Sequence, residues 1–521
     1  MSTFPLIPAA PAGEQAAQPA PGIARPTLGE RVRFAALVPF DFLLQVACVR
    51  FETFLALFER LAPAFLDWAG RWRARRAFYR AAREVPAYRA FLAGAGFKGG
   101  EPPQTDKENY VRRYSTEQRC VGGALPERDV TIDESSGSTG TPYNWVRSGR
   151  ERHQSHIFIS YFAQYCYGCR PYVTINAFSM GAWATGINMG VAMARHGIVK
   201  CTGPDVQKIL NTLRFFGPSY RYLIAGYPPF LKHLIDAAEA EGFPFEDFDL
   251  RALVGGEGMA EGLRDYLLRR FRSVFSGFGA TDLEIGIAGE TPVAVAIRRL
   301  CRERPDVRAA LFGADSRLPM LFQYNPLMHH IEVNEDRELL FTISRRSLLS
   351  PRVRYNVHDE GGVARFDDLQ RRLAACGIDI HGLSGGARLR LPFFWVYGRR
   401  DYTVSVMGAN IYPEDIEQCL YADAALAKIT HSFCLALAQG ARASVNPKFI
   451  FEVDAEPTAA LAARYRDSVL KNLIALNADF REAWQEYPQT VTPVIELHPR
   501  GSGPFAADAG RIKQARLLKH I

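Results

Sequence analysis

The sequence predicts an α/β protein, a large layered body followed by a small α+β domain, and three observations carry that prediction. Between about residues 130 and 400, β-branched or aromatic runs at 172–175, 339–343 and 393–396 alternate with helical stretches such as 229–240 and 261–271. Strands interleaved with amphipathic helices bury both kinds of apolar face by stacking in layers. Past residue 401 the pattern changes to a short helix at 413–420, an alternating strand at 448–453 and a longer helix at 459–476. Finally, 48% hydrophobic and 23% charged residues over 521 positions suffice for a sizeable core and exclude wholesale disorder, collagen and coiled coil.

Taken in order, residues 1–28 form an Ala/Pro-rich tail that lacks the basic start and apolar run of a signal peptide. Residues 29–100 read as a helical extension, in which Phe54, Leu55, Phe58, Leu61 and Phe65 recur at helical spacing. That face either docks on the protein's own body or makes a peripheral membrane contact. The second reading draws on the apolar stretch 34–44 before it and on Arg71, Arg73, Arg75, Arg76, Arg80 and Arg83 after it. By themselves those arginines read as a solvated helix face. No stretch has the roughly 18 uninterrupted apolar residues of a membrane span, since the best, 34–49, contains Pro39, Asp41 and Gln45. Residues 101–400 make the body and 401–521 the small domain.

The net charge of +8 comes from 63 Lys and Arg against 55 Asp and Glu, and only ten of the 63 are lysine. No clustered basic run occurs between residues 130 and 400, which argues against a nucleic-acid partner. Nine irregularly placed cysteines predict free thiols in a reducing, cytoplasmic setting. Cys166 and Cys169 form one C-x-x-C without the second ligand pair of a structural zinc site.

The stretch Ser135-Ser136-Gly137-Ser138-Thr139-Gly140-Thr141-Pro142 combines two glycines with five hydroxyls, a set of donors that suits polyphosphate. It is not a lysine-bearing phosphate loop, because no lysine follows Gly140 and Pro142 interrupts the expected helix. Alone it reads more readily as a flexible surface loop. Behind it, however, stands an ordered series: GGEGM at 255, GFGATDLE at 277, RYNVHDEGG at 354, YGRRD at 397 and GANIYPEDIE at 408, with AFYRAAREVPAYRAFLAGAGF and TDKENY upstream. From about residue 77 onward the chain resembles the adenylate-forming (ANL) superfamily, and within it the phenylacetate-CoA ligase-like family.

That resemblance implies a multi-sheet body with a small mobile lid. It also implies an ATP- and Mg²⁺-dependent, AMP-forming reaction in which a carboxylate becomes an acyl-adenylate and a thiol then displaces AMP. Ser135, Ser136, Gly137, Ser138, Thr139 and Gly140 would hold the triphosphate. Gly255, Gly256 and Glu257 would flank adenine, and Thr281 would meet the α-phosphate. Asp282 would bind the metal, in place of the family's usual glutamate. Asp359 would take the ribose hydroxyls, Arg399 the ribose or phosphate, and Asp401 would be the hinge. Phe178, Trp183 and Tyr227 fall where the family lines its acid, which suits an aryl or acyl group. The acceptor is CoA or, alternatively, a carrier-protein thiol or other protein nucleophile. A homodimer is left open.

One position departs from the family. Its catalytic lysine stands in a segment like G-K-x-x-R, where this chain reads Gly510-Arg511-Ile512-Lys513. Either Arg511 replaces the lysine, or Lys513 acts from the same side of an extended strand, about 6.6 Å away. The scarcity of lysine favours Lys513. The same departure supports the alternative of a non-catalytic nucleotide- or membrane-binding homologue.

Overall fold

A computed structural model describes residues 25–134, 143–181, 184–313, 315, 317–383, 388–399, 404–406, 409–439, 445–486, 488–508 and 517. The chain opens with four helices, α1 (Leu28–Ala47), α2 (Phe51–Arg60), α3 (Pro63–Glu84) and α4 (Pro86–Gly94). Thr27 and Glu30 cap α1 reciprocally, each side chain accepting the other's backbone N–H. The apolar face expected over 51–65 is split, because α2 stops at Arg60 and Pro63, favoured at a first helical position, starts α3. That face docks on the body: Phe54 and Phe58 are buried, and Phe54 stacks 5.2 Å from Tyr161 on α5 (Gly149–Tyr167).

The arginine cluster is for the most part not a solvated face. Arg73 and Arg76 pair with Asp41 of α1, Arg75 meets Glu30 at 3.0 Å and Arg80 meets Glu84 at 2.7 Å. Arg71 and Arg83 remain largely exposed. The ion pairs make the cluster a seam between α1 and α3.

A hairpin, β1 (Val130–Glu134) and β2 (Asn144–Ser148), precedes α5. Then come β3 (Val173–Asn176), α6 (Ala184–Met193), β4 (Ile198–Cys201), β5 (Arg221–Gly226), β6 (Asp249–Gly255), β7 (Val274–Ala280) and β8 (Glu284–Gly289). The body continues with β9 (Met320–Tyr324), β10 (His329–Val333), β11 (Glu338–Ile343), β12 (Tyr355–Ala364) and β13 (Phe393–Arg399). Among the described residues eleven of these strands form one sheet, ordered β10-β11-β12-β13-β9-β8-β7-β6-β5-β3-β4. Its β4-to-β7 half is parallel and its β7-to-β10 half antiparallel. Every residue of β3 and β9 is buried, on both faces of the sheet.

The carboxyl-terminal domain is α+β, as the sequence predicts. A three-stranded sheet (Thr430–Gln439, Val445–Val453, Val494–Pro499) packs under the helix Ala459–Leu476. Its own core holds Phe433, Leu435, Phe449, Phe451, Tyr465 and Leu473. It meets the body where the Arg317 guanidinium lies 4.2 Å from both the Tyr397 and Tyr412 rings, and where Ala260 N–H donates to Glu417 Oε2 at 3.1 Å. No described helix is long and apolar enough to cross a membrane. None of the nine cysteines is joined in a disulfide, and no three His, Cys, Asp or Glu among the described residues are grouped to hold a metal.

Candidate active site

The parallel strands direct their carboxyl ends to one edge, and β3 and β5 are the neighbours between which chain order reverses. In open α/β sheets ligands bind in the crevice outside such a switch point. Phe178 follows β3, Tyr227 follows β5, Gly255 ends β6 with Gly256 after it, and Thr281 follows β7. All five line one cavity of about 200 Å³. Residues far apart in sequence are thus brought together by strand order alone.

The walls depend on glycine. Gly256 has φ +86°, and a Cβ there would lie 2.7 Å from Tyr227 Cε1. Gly286 has φ +70°, and its Cβ would lie 2.5 Å from Ile159. Both positions need left-handed backbone and let a side chain press directly on main chain. The Phe178 and Tyr227 rings meet edge to face at 5.0 Å. Burial pushes the Tyr227 phenol up to about 12, opposed by a hydrogen bond with Ser179 and reinforced by the neighbouring Glu257. Phe162 and Tyr165 from α5, Met189 from α6, Phe278, Ile287 and Phe54 of α2 complete a largely apolar lining.

A polar group closes the cavity. Thr291 Oγ donates to Gln323 Oε1 at 2.6 Å, and Gln323 Nε2 donates to the Leu389 and Leu391 carbonyls at 3.2 and 3.0 Å. Asn325 Oδ1 accepts from Leu327 N–H at 3.0 Å, while its Nδ2, also buried, has no partner among the described residues.

Residues 135–142 lie outside the described residues, but Glu134 just before them lines the cavity and pairs with Asn144 across the hairpin. Two buried arginines fix the GATD turn. Arg147 Nη2 donates to Thr281 O at 2.7 Å, and Arg352 Nε donates to Asp282 O at 2.8 Å. Burial lowers Arg352 to about 10, and its guanidinium lies 4.7 Å from the Trp145 ring. The Asp282 carboxylate accepts from Tyr355 Oη at 2.8 Å and stands 3.6 Å from Lys107 Nζ. Sequence reasoning missed Lys107, Arg147 and Arg352, although Lys107 sits inside TDKENY and Arg352 two residues before RYNVHDEGG.

Asp359 is the direct cross-strand partner of Arg399 in the β12–β13 register. The Arg399 side chain, Trp183, Asp401, Arg511 and Lys513 lie outside the described residues. Glu257 is half-buried beside Tyr227 and does not line the cavity; Asp282 and Asp359 lie outside it too.

Buried ion networks anchor both ends of β8, which forms one wall. Glu284 accepts from Ser155 Oγ at 2.7 Å and pairs with Arg345 and His329. Although burial opposes ionisation, those partners, Arg345 foremost, hold its carboxyl down at about 2. Just past the other end, Arg264 Nη2 grips both Glu290 oxygens at 2.6 and 2.7 Å. Arg264 Nε donates to Glu261 at 2.9 Å, and Arg298 Nη1 donates to Glu261 at 2.7 Å.

No family model matches the chain, and neither does any curated protein. Among solved structures it is similar to 2-hydroxyisobutyryl-CoA ligase in the post-adenylation state in complex with 2-HIB-AMP, with a TM-score of 0.62 and 15% identity over 87% of this chain and 89% of that one. Against the same ligase with 2-HIB-AMP and CoA in the thioesterification state, the TM-score is 0.52 at 15% identity, over 88% and 90% of the two chains. The protein therefore has the fold of this CoA ligase, a large α/β body with a separate carboxyl-terminal domain.

Proposed function

We propose that the protein is an ATP-dependent, AMP-forming acid–thiol ligase that activates an aryl or acyl carboxylic acid and passes it to CoA. The observation that carries this is the convergence of Phe178, Tyr227, Gly255, Gly256 and Thr281 on one cavity at the carboxyl edge of the sheet. A mostly apolar, aromatic lining suits an aryl or medium acyl group, as the phenylacetate-CoA ligase-like resemblance also implies. The higher TM-score against the post-adenylation state is consistent with a domain placement suited to the first half-reaction.

In this reading the acid's tail lies against Phe178 and Tyr227, and its carboxylate faces Thr281. The Thr281 hydroxyl donates to the α-phosphate as charge grows there, and Ser135–Gly140 accompany the departing pyrophosphate. Asp359 and Arg399 hold the ribose. Gly256 lets adenine approach main chain beside Glu257. Magnesium would arrive on the triphosphate and needs few protein ligands. Asp282, one hard-oxygen carboxylate held by Tyr355, fits that role, with Lys107 beside it as a second charge for phosphate. Bound there, the metal would neutralise phosphate charge. Lys513, rather than Arg511, would reach the reacting carboxylate, and the small domain would turn about Asp401 to admit the thiol in a cytoplasmic setting.

The test is acid-dependent pyrophosphate release across benzoates, phenylacetates and graded fatty acids, with the thioester followed by mass using CoA or a holo-carrier protein. Release with at least one acid, lost in Thr281→Ala and in Lys513→Ala, supports the reading. ATP binding without release from any acid supports a non-catalytic homologue. Thioester on the carrier alone moves the acceptor to a protein thiol. Full activity in Lys513→Ala with loss in Arg511→Ala reassigns the cation.

A further inference from the structure

A helix packed on a protein ordinarily turns its apolar stripe inward and its charges outward. α1 instead turns its two acids inward and leaves an apolar stripe outward. Its two acids, Glu30 and Asp41, face the body and are held by Arg75, Arg73 and Arg76 of α3. Its outward side carries Leu28, Val32, Phe42 and Val46, which are 79%, 61%, 70% and 55% exposed, with Val49 at 73% just beyond the helix. With the exposed Ala35 and Pro39 these positions repeat at alternating steps of four and three, a single stripe along the whole helix. Scattered exposed apolar residues are ordinary, but a contiguous stripe of this length marks a binding surface.

The surrounding charge identifies the occupant. Exposed Arg25 and Arg31 stand at the amino-terminal end of the stripe, with Arg33 near them over the Trp72 ring at 4.7 Å, and exposed Arg50 lies beyond its carboxyl-terminal end. A second copy of the chain, paired parallel or antiparallel through this stripe, would bring arginine toward arginine. An anionic surface is complementary at the amino-terminal end, where the arginines gather, while at the other end Arg50 stands near the exposed Glu52. Amphipathic helices that lie in the lipid interface combine this kind of apolar face with flanking cations.

We propose that the outward face of α1 docks on an anionic lipid bilayer, with Phe42 and its neighbours seated at the headgroup–acyl boundary and the flanking arginines on lipid phosphates. The docking face is thus α1, while the apolar face over 51–65 is spent on the protein's own body. The proposal rests on α1 alone and stands or falls apart from the ligase reading.

Full-length protein sedimented with phosphatidylglycerol/phosphatidylcholine vesicles tests it, alongside pure phosphatidylcholine vesicles. Expected are binding to the anionic vesicles that weakens with added salt, and a drop of about tenfold or more in the Phe42→Glu/Val46→Glu double variant. The thermal midpoint should stay unchanged, because both side chains already face solvent. In Phe42→Trp the indole emission should shift to the blue on anionic vesicles, which reads the same contact without relying on the charged variant. Equal sedimentation with neutral and anionic vesicles overturns the proposal, as does undiminished binding by the double variant. So does a vesicle-indifferent protein that runs as a dimer and becomes monomeric with Phe42→Glu.

Discussion

Strand β8 is fastened at both ends by a buried glutamate, and the two fastenings differ in completeness. Around Glu290 two guanidinium groups face two carboxylates, and the nitrogens of Arg264 are used on Glu261, Glu290 and the Val274 carbonyl. Around Glu284 the charges are paired, yet Arg345 Nε and His329 Nδ1 have no hydrogen-bond partner among the described residues. A fully satisfied buried network fixes shape. The one around Glu284 holds together only while that carboxylate is ionised. The wall between them, Ile285 to Gly289, therefore has one rigid end and one end whose strength depends on conditions.

The comparison breaks most visibly at the complete end. Arg264→Met should lower unfolding free energy by about 3–5 kcal/mol, because Glu290 is left charged and buried; denaturant titration measures it. A loss below about 1 kcal/mol would mean that the network is dispensable. Glu284→Gln should lose about 3 kcal/mol at neutral pH. Its folded pKa is depressed, so its stabilisation is complete above the unfolded carboxylate range and fades as pH falls from about 4.5 toward 2. Unfolding midpoints at pH 6 and pH 3 should therefore converge between wild type and Glu284→Gln as the medium is acidified.

Smaller changes sharpen the picture of the wall's surroundings. Gly256→Ala should destabilise by about 1–3 kcal/mol through its φ and its contact with Tyr227, and acid-dependent pyrophosphate release should fall by about tenfold or more. Tyr227→Phe should change stability by less than about 1 kcal/mol, since the ring contacts remain, and should act mainly on the KM for the acid. A Gly256→Ala enzyme with normal turnover would separate the cavity from the adenylation site.

The sequence was a good guide to placement wherever the signal is local. Phe178, Tyr227, Gly255, Gly256 and Thr281 each belong to a short motif after a strand, and the fold brings all five to one cavity. The strands 173–176, 338–343 and 393–399 and the helix Ala459–Leu476 lie at or within a few residues of their predicted places. Pairings across long separations were illegible. Arg147 reaches Thr281 over 134 positions, and Arg73 and Arg75 find α1 partners 32 and 45 positions back. An arginine cluster looks solvated until the helix that neutralises it is folded against it. The reversed polarity of α1 was hidden for the same reason, since periodicity reports a stripe but not the side on which it is used.

Phe54 belongs to the first described helices and lines the same cavity as Thr281, over two hundred positions later. A cut through the linker after α4 would look natural from the succession of helices and then strands, and it would remove part of the cavity wall. On the proposed ligase reading, substrate choice would then be partly encoded in a segment that a motif-based division of the chain would set aside. Exchanging residues 25–62 with those of a relative should transfer acid preference along with them, whatever surface the exterior of α1 engages.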